Sequence, residues 1–142
     1  MCIRDSYNRL LGMQVMENLL QRFPKIDVVL AANDEQALGC VEAIDAAKKL
    51  KEIKVTGVDS NYDAAMSINQ GRQFASADYS GHNQGYLATK AAIKHLMGEK
   101  IPKRIILPVV IVTQENAKQW TVPFEQRPVP NYDEIVKKNA VW

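Results

Sequence analysis

The sequence predicts an α/β fold in which helices flank a mostly parallel sheet. Three observations support this prediction: segments with a helical apolar stripe alternate with short β-branched segments, their spacing matches β–α–β units, and polar residues follow the predicted strands. The chain has 142 residues, of which 46% are hydrophobic and 24% are charged. This composition is ordinary for about one globular domain that buries a core.

Helix and strand patterns alternate in the first part of the chain. Residues 8–22 carry apolar side chains at helical spacing, which predicts a helix, and Pro24 ends it. The nearly continuous apolar run IDVVLAA at 26–32 is typical of a strand that is covered on both faces. A second helix is predicted over 34–50 and a second strand over 53–59.

The alternation continues and then stops near residue 120. The remaining predicted elements are a short helix at 62–69, a strand at 74–79, a long helix at 82–97, a strand at 104–113 that Pro108 interrupts, and a short helix at 133–139. Strands separated by helices imply right-handed crossovers within a parallel sheet. After Trp120 the composition becomes rich in proline, which predicts an extended surface segment.

Composition and motifs argue against several classes of function. The net charge of +2 is small and no basic stripe alternates with aromatic residues, so we expect no nucleic acid partner. The sequence has no Gly-rich phosphate loop, nucleophile elbow or cluster of metal ligands, so we expect no enzyme activity, cofactor or metal site. No apolar run approaches the roughly 18 residues that span a bilayer.

The first six residues, MCIRDS, read as a translated transposon-end sequencing adaptor. We therefore expect the natural sequence to begin near Tyr7 and the segment upstream of it to be lost. Cys2 would belong to the adaptor, leaving Cys40 alone within a predicted helix. A single buried thiol gives no disulfide framework and says little about the redox compartment.

Polar dipeptides follow three of the predicted strands: Asn33-Asp34, Asp59-Ser60 and Asp78-Tyr79. Parallel sheets bind ligands beyond the carboxyl ends of their strands, so these side chains would share one crevice if the strands are neighbours. An amide, a carboxylate and an aromatic ring together suit a sugar, which needs paired hydrogen bonds and a flat apolar surface. The alternative is that Asn, Asp and Ser at these junctions, for example Asp34 and Ser60, only cap the helices that follow.

The motifs AANDEQALG, GVD and PVVIVTQEN, in this order and spacing, make residues 7–116 similar to the type I periplasmic binding proteins. Within that family the chain resembles the ribose-binding-like sugar receptors of ABC importers. Such receptors have two α/β lobes that close on a sugar. The resemblance implies a partial fold of this type, truncated at the N-terminus.

The same resemblance implies how the chain is divided between the two lobes. Residues 7–79 would form part of the carboxyl-terminal lobe, 80–108 a segment of the amino-terminal lobe, and 109–120 a return to the carboxyl-terminal lobe. Residues 121–142 would be a Pro-rich tail with a short helix, and 1–6 the adaptor scar.

Four ligand-binding residues follow from the resemblance, position by position. Asn33 corresponds to the family's amide at the strand–helix junction, and Asp59 to the carboxylate that takes two sugar hydroxyls. Tyr79 stands where ribose receptors have a glutamine near the hinge, which favours a sugar other than ribose. Tyr7 corresponds to an aromatic residue that stacks on the sugar ring.

The expected function is a non-enzymatic, periplasmic or extracytoplasmic sugar receptor. Its expected partners are a sugar, the membrane permease of an ABC importer and the missing amino-terminal lobe. The alternative is the effector-binding domain of a lactose-repressor-type transcription regulator, which shares the fold. A third hypothesis is an α/β enzyme that uses Asp59 or Asp78 as a base.

Overall fold

The computed structural model describes residues 7–127, 129 and 131–142, so the adaptor-like residues 1–6 lie outside the described part of the chain. The elements are α1 (Arg9–Arg22), β1 (Val28–Leu30), α2 (Asp34–Ala46), β2 (Lys54–Val58), α3 (Tyr62–Asn69), β3 (Ala75–Asp78), α4 (Gly81–Leu96), β4 (Arg104–Ile105), β5 (Val110–Val112), α5 (Tyr132–Asn139) and β6 (Ala140–Val141). Short 3₁₀ turns cover Ala117–Gln119 and Phe124–Gln126.

The larger sheet has the strand order β1-β2-β3-β5. The first three strands are parallel and β5 runs antiparallel to β3, so the prediction of a mostly parallel sheet flanked by helices is confirmed. The predicted interruption of the strand at 104–113 is confirmed, and its two parts, β4 and β5, belong to different sheets. Pro108 lies between them and has no backbone N–H to donate to a strand ladder.

The core lies between the sheet and the helix pair α1–α2. Its fully buried side chains include Met16, Ile44 and Val55. The two helix backbones approach closely because each carries a glycine at the crossing. A Cβ on Gly12 would lie 2.6 Å from the carbonyl oxygen of Gln36, and one on Gly39 would overlap the carbonyl oxygen of Arg9. This contact fixes α2, whose first residues belong to the site described below.

The residues that the structure describes cover one face of the sheet and leave much of the other exposed. Val29 packs against the core, whereas its neighbours Val28 and Leu30, which alternate to the other face, are 53% and 81% exposed. Ile111 of β5 is also 55% exposed. The prediction that the strand at 26–32 is covered on both faces is therefore wrong for this chain.

The segment after β5 packs against the end of α3 and against β5. Ala117 and Trp120 pack with Ile68 and Val112, and α5 confirms the predicted short helix. The sequence did not predict β6, which pairs antiparallel with β4. No helix within the described residues has the length and apolar character to span a bilayer.

Candidate ligand-binding site

The carboxyl ends of β1, β2 and β3 lie side by side because these strands are parallel neighbours. Asparagine caps the helix that follows each of the first two strands. The Asn33 side-chain oxygen accepts the N–H of Gln36 at 3.0 Å, and the Asn61 oxygen accepts the N–H of Ala64 at 2.9 Å. The capping alternative is thus correct for Asn33, while the caps proposed at Asp34 and Ser60 are wrong.

Asp34, which follows β1 after a short turn, is fully buried and bonds to residues around β2 and β3. Its carboxylate accepts hydrogen bonds from the Ser76 hydroxyl at 2.7 Å, the Asn61 backbone N–H at 3.0 Å and the Gln73 side-chain amide at 3.4 Å. Burial raises the pKa of Asp34, and these three donors oppose that shift. Asp34 therefore fixes the floor of the site without reaching solvent.

Asp59 and Ser60, at the end of β2, have left-handed backbones with φ of 112° and 53°. Such conformations store strain in residues other than glycine, and they persist only where the surroundings enforce them. Here the Asp59 N–H donates to the carbonyl oxygen of Ala77 at 3.0 Å, and the Ser60 N–H donates to the Ser76 hydroxyl at 3.2 Å. Adjacent β3 thus holds the turn that presents the Asp59 side chain.

The Asp59 carboxylate and the Tyr79 hydroxyl lie close enough to change each other's ionisation. Burial raises the pKa of Asp59, and the Tyr79 hydroxyl and the backbone of Asp34 oppose the shift by favouring the carboxylate. The pKa of Tyr79 is raised, chiefly by the negative charge of Asp59. The first residue of α2, the end of β2 and the end of β3 therefore meet at one carboxylate.

Asp78 has a structural role beside this pair. Its two oxygens accept the Ser80 N–H at 2.7 Å and the Trp120 indole N–H at 2.8 Å. An open cavity of about 230 Å³ lies here, and its lining includes Asp59, Asp78, Tyr79 and Arg127. Sequence patterns did not indicate Trp120 or Arg127. Arg127 lies in the segment 121–142 that was predicted to be a tail, and Trp120 directly precedes that segment.

Two larger cavities, of about 410 and 510 Å³, lack a pair of aspartates like Asp59 and Asp78 among the described residues of their linings. The first lies at the opposite end of the strands. Its lining includes Lys54, the first residue of β2, and Phe74, which directly precedes β3. The second lies between α4 and the segment around β4, with Leu87 and Ile105 in its lining. Within the described residues, no group of three or more His, Cys, Asp or Glu side chains is placed to hold a metal ion.

The structure brings two of the four predicted site residues together, Asp59 and Tyr79. Asn33 lies one residue before the Asp34 backbone that faces Asp59, and its side chain is largely buried with its oxygen used as a cap. Tyr7 is 61% exposed and lies just before α1. It is not among the described residues that line the 230 Å³ cavity. Ligand binding by the four residues stays a prediction.

Comparison with known proteins identifies the family. Residues 4–100 match the family model described as a periplasmic binding protein domain. This chain belongs to the periplasmic binding protein family. The resemblance to its ribose-binding-like members is confirmed by a 43% identical relative, the ribose import binding protein of Bacillus subtilis (strain 168). The match covers 78% of this chain and 35% of the relative.

Solved structures of the family give the same result. A solute binding protein from Bacillus halodurans with bound myo-inositol superposes with a TM-score of 0.74 at 32% identity, over 81% of this chain and 40% of that protein. A protein from Mycobacterium smegmatis in complex with β-D-fucofuranose gives a TM-score of 0.72 at 31% identity. That match covers 94% of this chain and 43% of the other, so the chain spans less than half the length of each of these three relatives.

Proposed function

We propose that this chain is the carboxyl-terminal part of a two-lobed receptor for a monosaccharide or related polyol. The ligand would lie in the cleft between the lobes and pass to the permease of an ABC importer. The relatives support this proposal, since one is a ribose import binding protein and two others were solved with myo-inositol or β-D-fucofuranose bound. We further propose that the receptor is periplasmic or extracytoplasmic and does not transform its ligand.

The Asp59–Tyr79 pair is the observation that carries the proposal. An ionised carboxylate offers about four acceptor positions, and the interactions with Tyr79 and the Asp34 backbone leave room for two adjacent sugar hydroxyls. Tyr79 is 42% exposed and adds a flat apolar face beside that carboxylate. A strained, left-handed residue that presents a half-buried carboxylate at a sheet edge is typical of a functional site.

The other two predicted residues receive roles that fit their surroundings. The Asn33 oxygen is used as the helix cap, so we propose that its amide NH₂ group donates to the ligand. Tyr7 precedes Arg9, which pairs with Glu35 at 3.1 Å and with Asp63 at 2.8 Å at the same edge of the fold. We propose that Tyr7 closes on the sugar ring from this side.

Simple energetics suggest that the 142-residue chain alone binds its ligand weakly. A neutral hydrogen bond contributes about 1 kcal/mol net and one to a charged group about 2 kcal/mol, whereas micromolar affinity needs roughly 8 kcal/mol. Two or three such bonds and one aromatic contact supply about half. The remainder would come from the second lobe and from exclusion of water. Calorimetric titration of the chain with ribose, allose and myo-inositol should give no binding in the low-micromolar range.

The decisive test uses the longer, two-lobed protein to which we propose this chain belongs. Asp59→Asn should weaken sugar affinity by about 100-fold, since an amide cannot accept from two hydroxyls with full charge assistance. Asp63→Asn is the matched control at the same edge, and it should change affinity less than about threefold because Asp63 pairs with Arg9. Equal, small effects of the two substitutions on the calorimetric Kd would reject the site.

The repressor and enzyme alternatives make different predictions. An importer receptor has a signal peptide upstream, whereas a lactose-repressor-type regulator has a DNA-binding helix-turn-helix there. The relatives described as import and solute binding proteins favour the receptor. An enzyme that used Asp59 as a base would consume its sugar, so chromatography of an incubated mixture should recover the sugar unchanged.

A further inference from the structure

The segment after β5 contacts both strained turns of the site. Trp120 donates its indole N–H to Asp78 at 2.8 Å, and the other Asp78 oxygen accepts the N–H of Ser80, a left-handed residue with φ of 57°. Tyr79 lies between these two anchored residues. Its position is therefore set in part by a side chain that lies 42 positions along the chain from Asp78.

Arg127 connects Trp120 to the second strained turn. Its guanidinium donates to the carbonyl oxygens of Trp120 at 2.7 Å, Val122 at 3.3 Å and Ser60 at 3.4 Å. Ser60 follows Asp59 in the left-handed turn that presents the carboxylate. The guanidinium has a planar fork of five donors, which a lysine ammonium cannot reproduce. One side chain therefore bridges the loop after β2 and the loop that carries Trp120.

We propose that Arg127 is a positioning residue for the site: through Ser60 and through Trp120 it holds Asp59 and Tyr79 in the geometry that binds the ligand. The expected effect of Arg127 on affinity rests on the proposed function, whereas its effect on the geometry of the turns does not. Arg127 also lines the 230 Å³ cavity with Asp59 and Asp78. We assign the positioning to the hydrogen bonds of its planar guanidinium with three backbone carbonyls, more than to its positive charge.

The positioning role is tested first without any ligand, on the 142-residue chain. Arg127→Lys keeps the charge and removes the fork, so the amide NMR signals of Asp59, Ser60 and Tyr79 should shift. Lys118→Met is the matched control, because it alters an exposed cation in the same segment. Unchanged signals for the three residues in Arg127→Lys would overturn the inference whether or not the protein binds sugar.

The second part measures affinity in the longer protein. Arg127→Lys and Arg127→Ala should both weaken sugar binding by about tenfold or more, with Lys118→Met close to the unmodified protein. Retained affinity in Arg127→Lys with loss in Arg127→Ala would mean that the charge alone matters and would overturn the positioning role. So would a lower melting temperature with unchanged affinity. If the unmodified protein binds no sugar or polyol, the proposed function and the effect on affinity fail together, while the NMR result still decides whether Arg127 sets the turn.

Discussion

Helices α2 and α4 have similar lengths and similar apolar content, but they differ sharply in burial. Eight of the 13 residues of α2 are buried, against Leu87 alone among the 16 residues of α4. Helix α2 packs between α1 and the sheet, whereas Leu96 and Met97 at the end of α4 are 84% and 71% exposed. An apolar stripe therefore predicts a helix, but its burial depends on a partner surface.

The site lies where these two regions meet. Asp59 and Asp34 belong to the well-packed region, and Tyr79 is the second-to-last residue before α4. The two-lobed receptor that we propose would need a rigid floor beside a part that moves, because one wall of its cleft would stay fixed while the other closes. The contrast between α2 and α4 can be tested by substitutions that are chemically identical in the two helices.

The largest expected effect comes from shortening a buried isoleucine. Ile44 of α2 is fully buried, so Ile44→Ala should lower the free energy of unfolding by about 3–4 kcal/mol through lost burial and a cavity. Ile93 of α4 is 48% exposed, and Ile93→Ala should cost less than about 1 kcal/mol. Urea unfolding followed by circular dichroism measures both. Similar losses would show that α4 packs as tightly as α2.

A pair of glycine substitutions sharpens the comparison, because the change in the free energy of unfolding should have opposite signs in the two helices. Gly39→Ala places a methyl group against the backbone of α1, including the Met13 nitrogen at 2.7 Å, so it should cost about 2–3 kcal/mol. Gly85 in α4 has nothing within 4 Å of an added Cβ. Gly85→Ala should therefore stabilise the chain by about 0.5–1 kcal/mol through helix propensity. A loss on Gly85→Ala would mean that a neighbour covers this side of α4.

Local sequence patterns predicted the parts of the fold that depend on neighbouring residues. The parallel direction of β1 to β3 follows from the alternating helix and strand patterns. Their adjacency in the sheet, which the pattern left open, places Asp59 and Tyr79 at one edge. Asparagine at a junction was correctly linked to capping, since the side chain and the N–H it accepts are three residues apart. These interactions are short in sequence and therefore leave a local signal.

The parts that could not be predicted depend on contacts between distant residues. Asp34 meets Ser76 across 42 positions, and Arg127 meets Ser60 across 67. Neither contact leaves a periodic pattern in the sequence. The prolines after Trp120 predicted an extended surface segment, although Arg127 in that segment contacts the site. The exposure of Leu30 was missed for the opposite reason, because an apolar strand gives no information on whether its second face has a partner.

The smallest expected effect concerns pH and separates binding from stability at Asp59. Burial raises the pKa of this carboxyl above its ordinary value of 3.8, so the folded state holds the proton more tightly than the unfolded chain does. The stabilisation from protonation is complete below that value and is lost as the pH rises through the raised pKa. At pH 7 the ionised Asp59 should therefore cost stability, by less than about 1 kcal/mol because the carboxyl is only partly buried and solvent screens its charge.

Asp59→Asn should remove this cost and keep the turn, because asparagine also tolerates a left-handed backbone. We expect a higher urea midpoint than that of the unmodified chain at pH 7, and a smaller difference at pH 4. Asp27→Asn, whose side chain is 72% exposed, is the control and should leave both midpoints nearly unchanged. A variant that is less stable at both pH values would mean that the carboxylate holds the fold together. A higher urea midpoint at neutral pH alone would mean that the charge of Asp59 destabilises the fold, as expected of a group that serves binding and not stability.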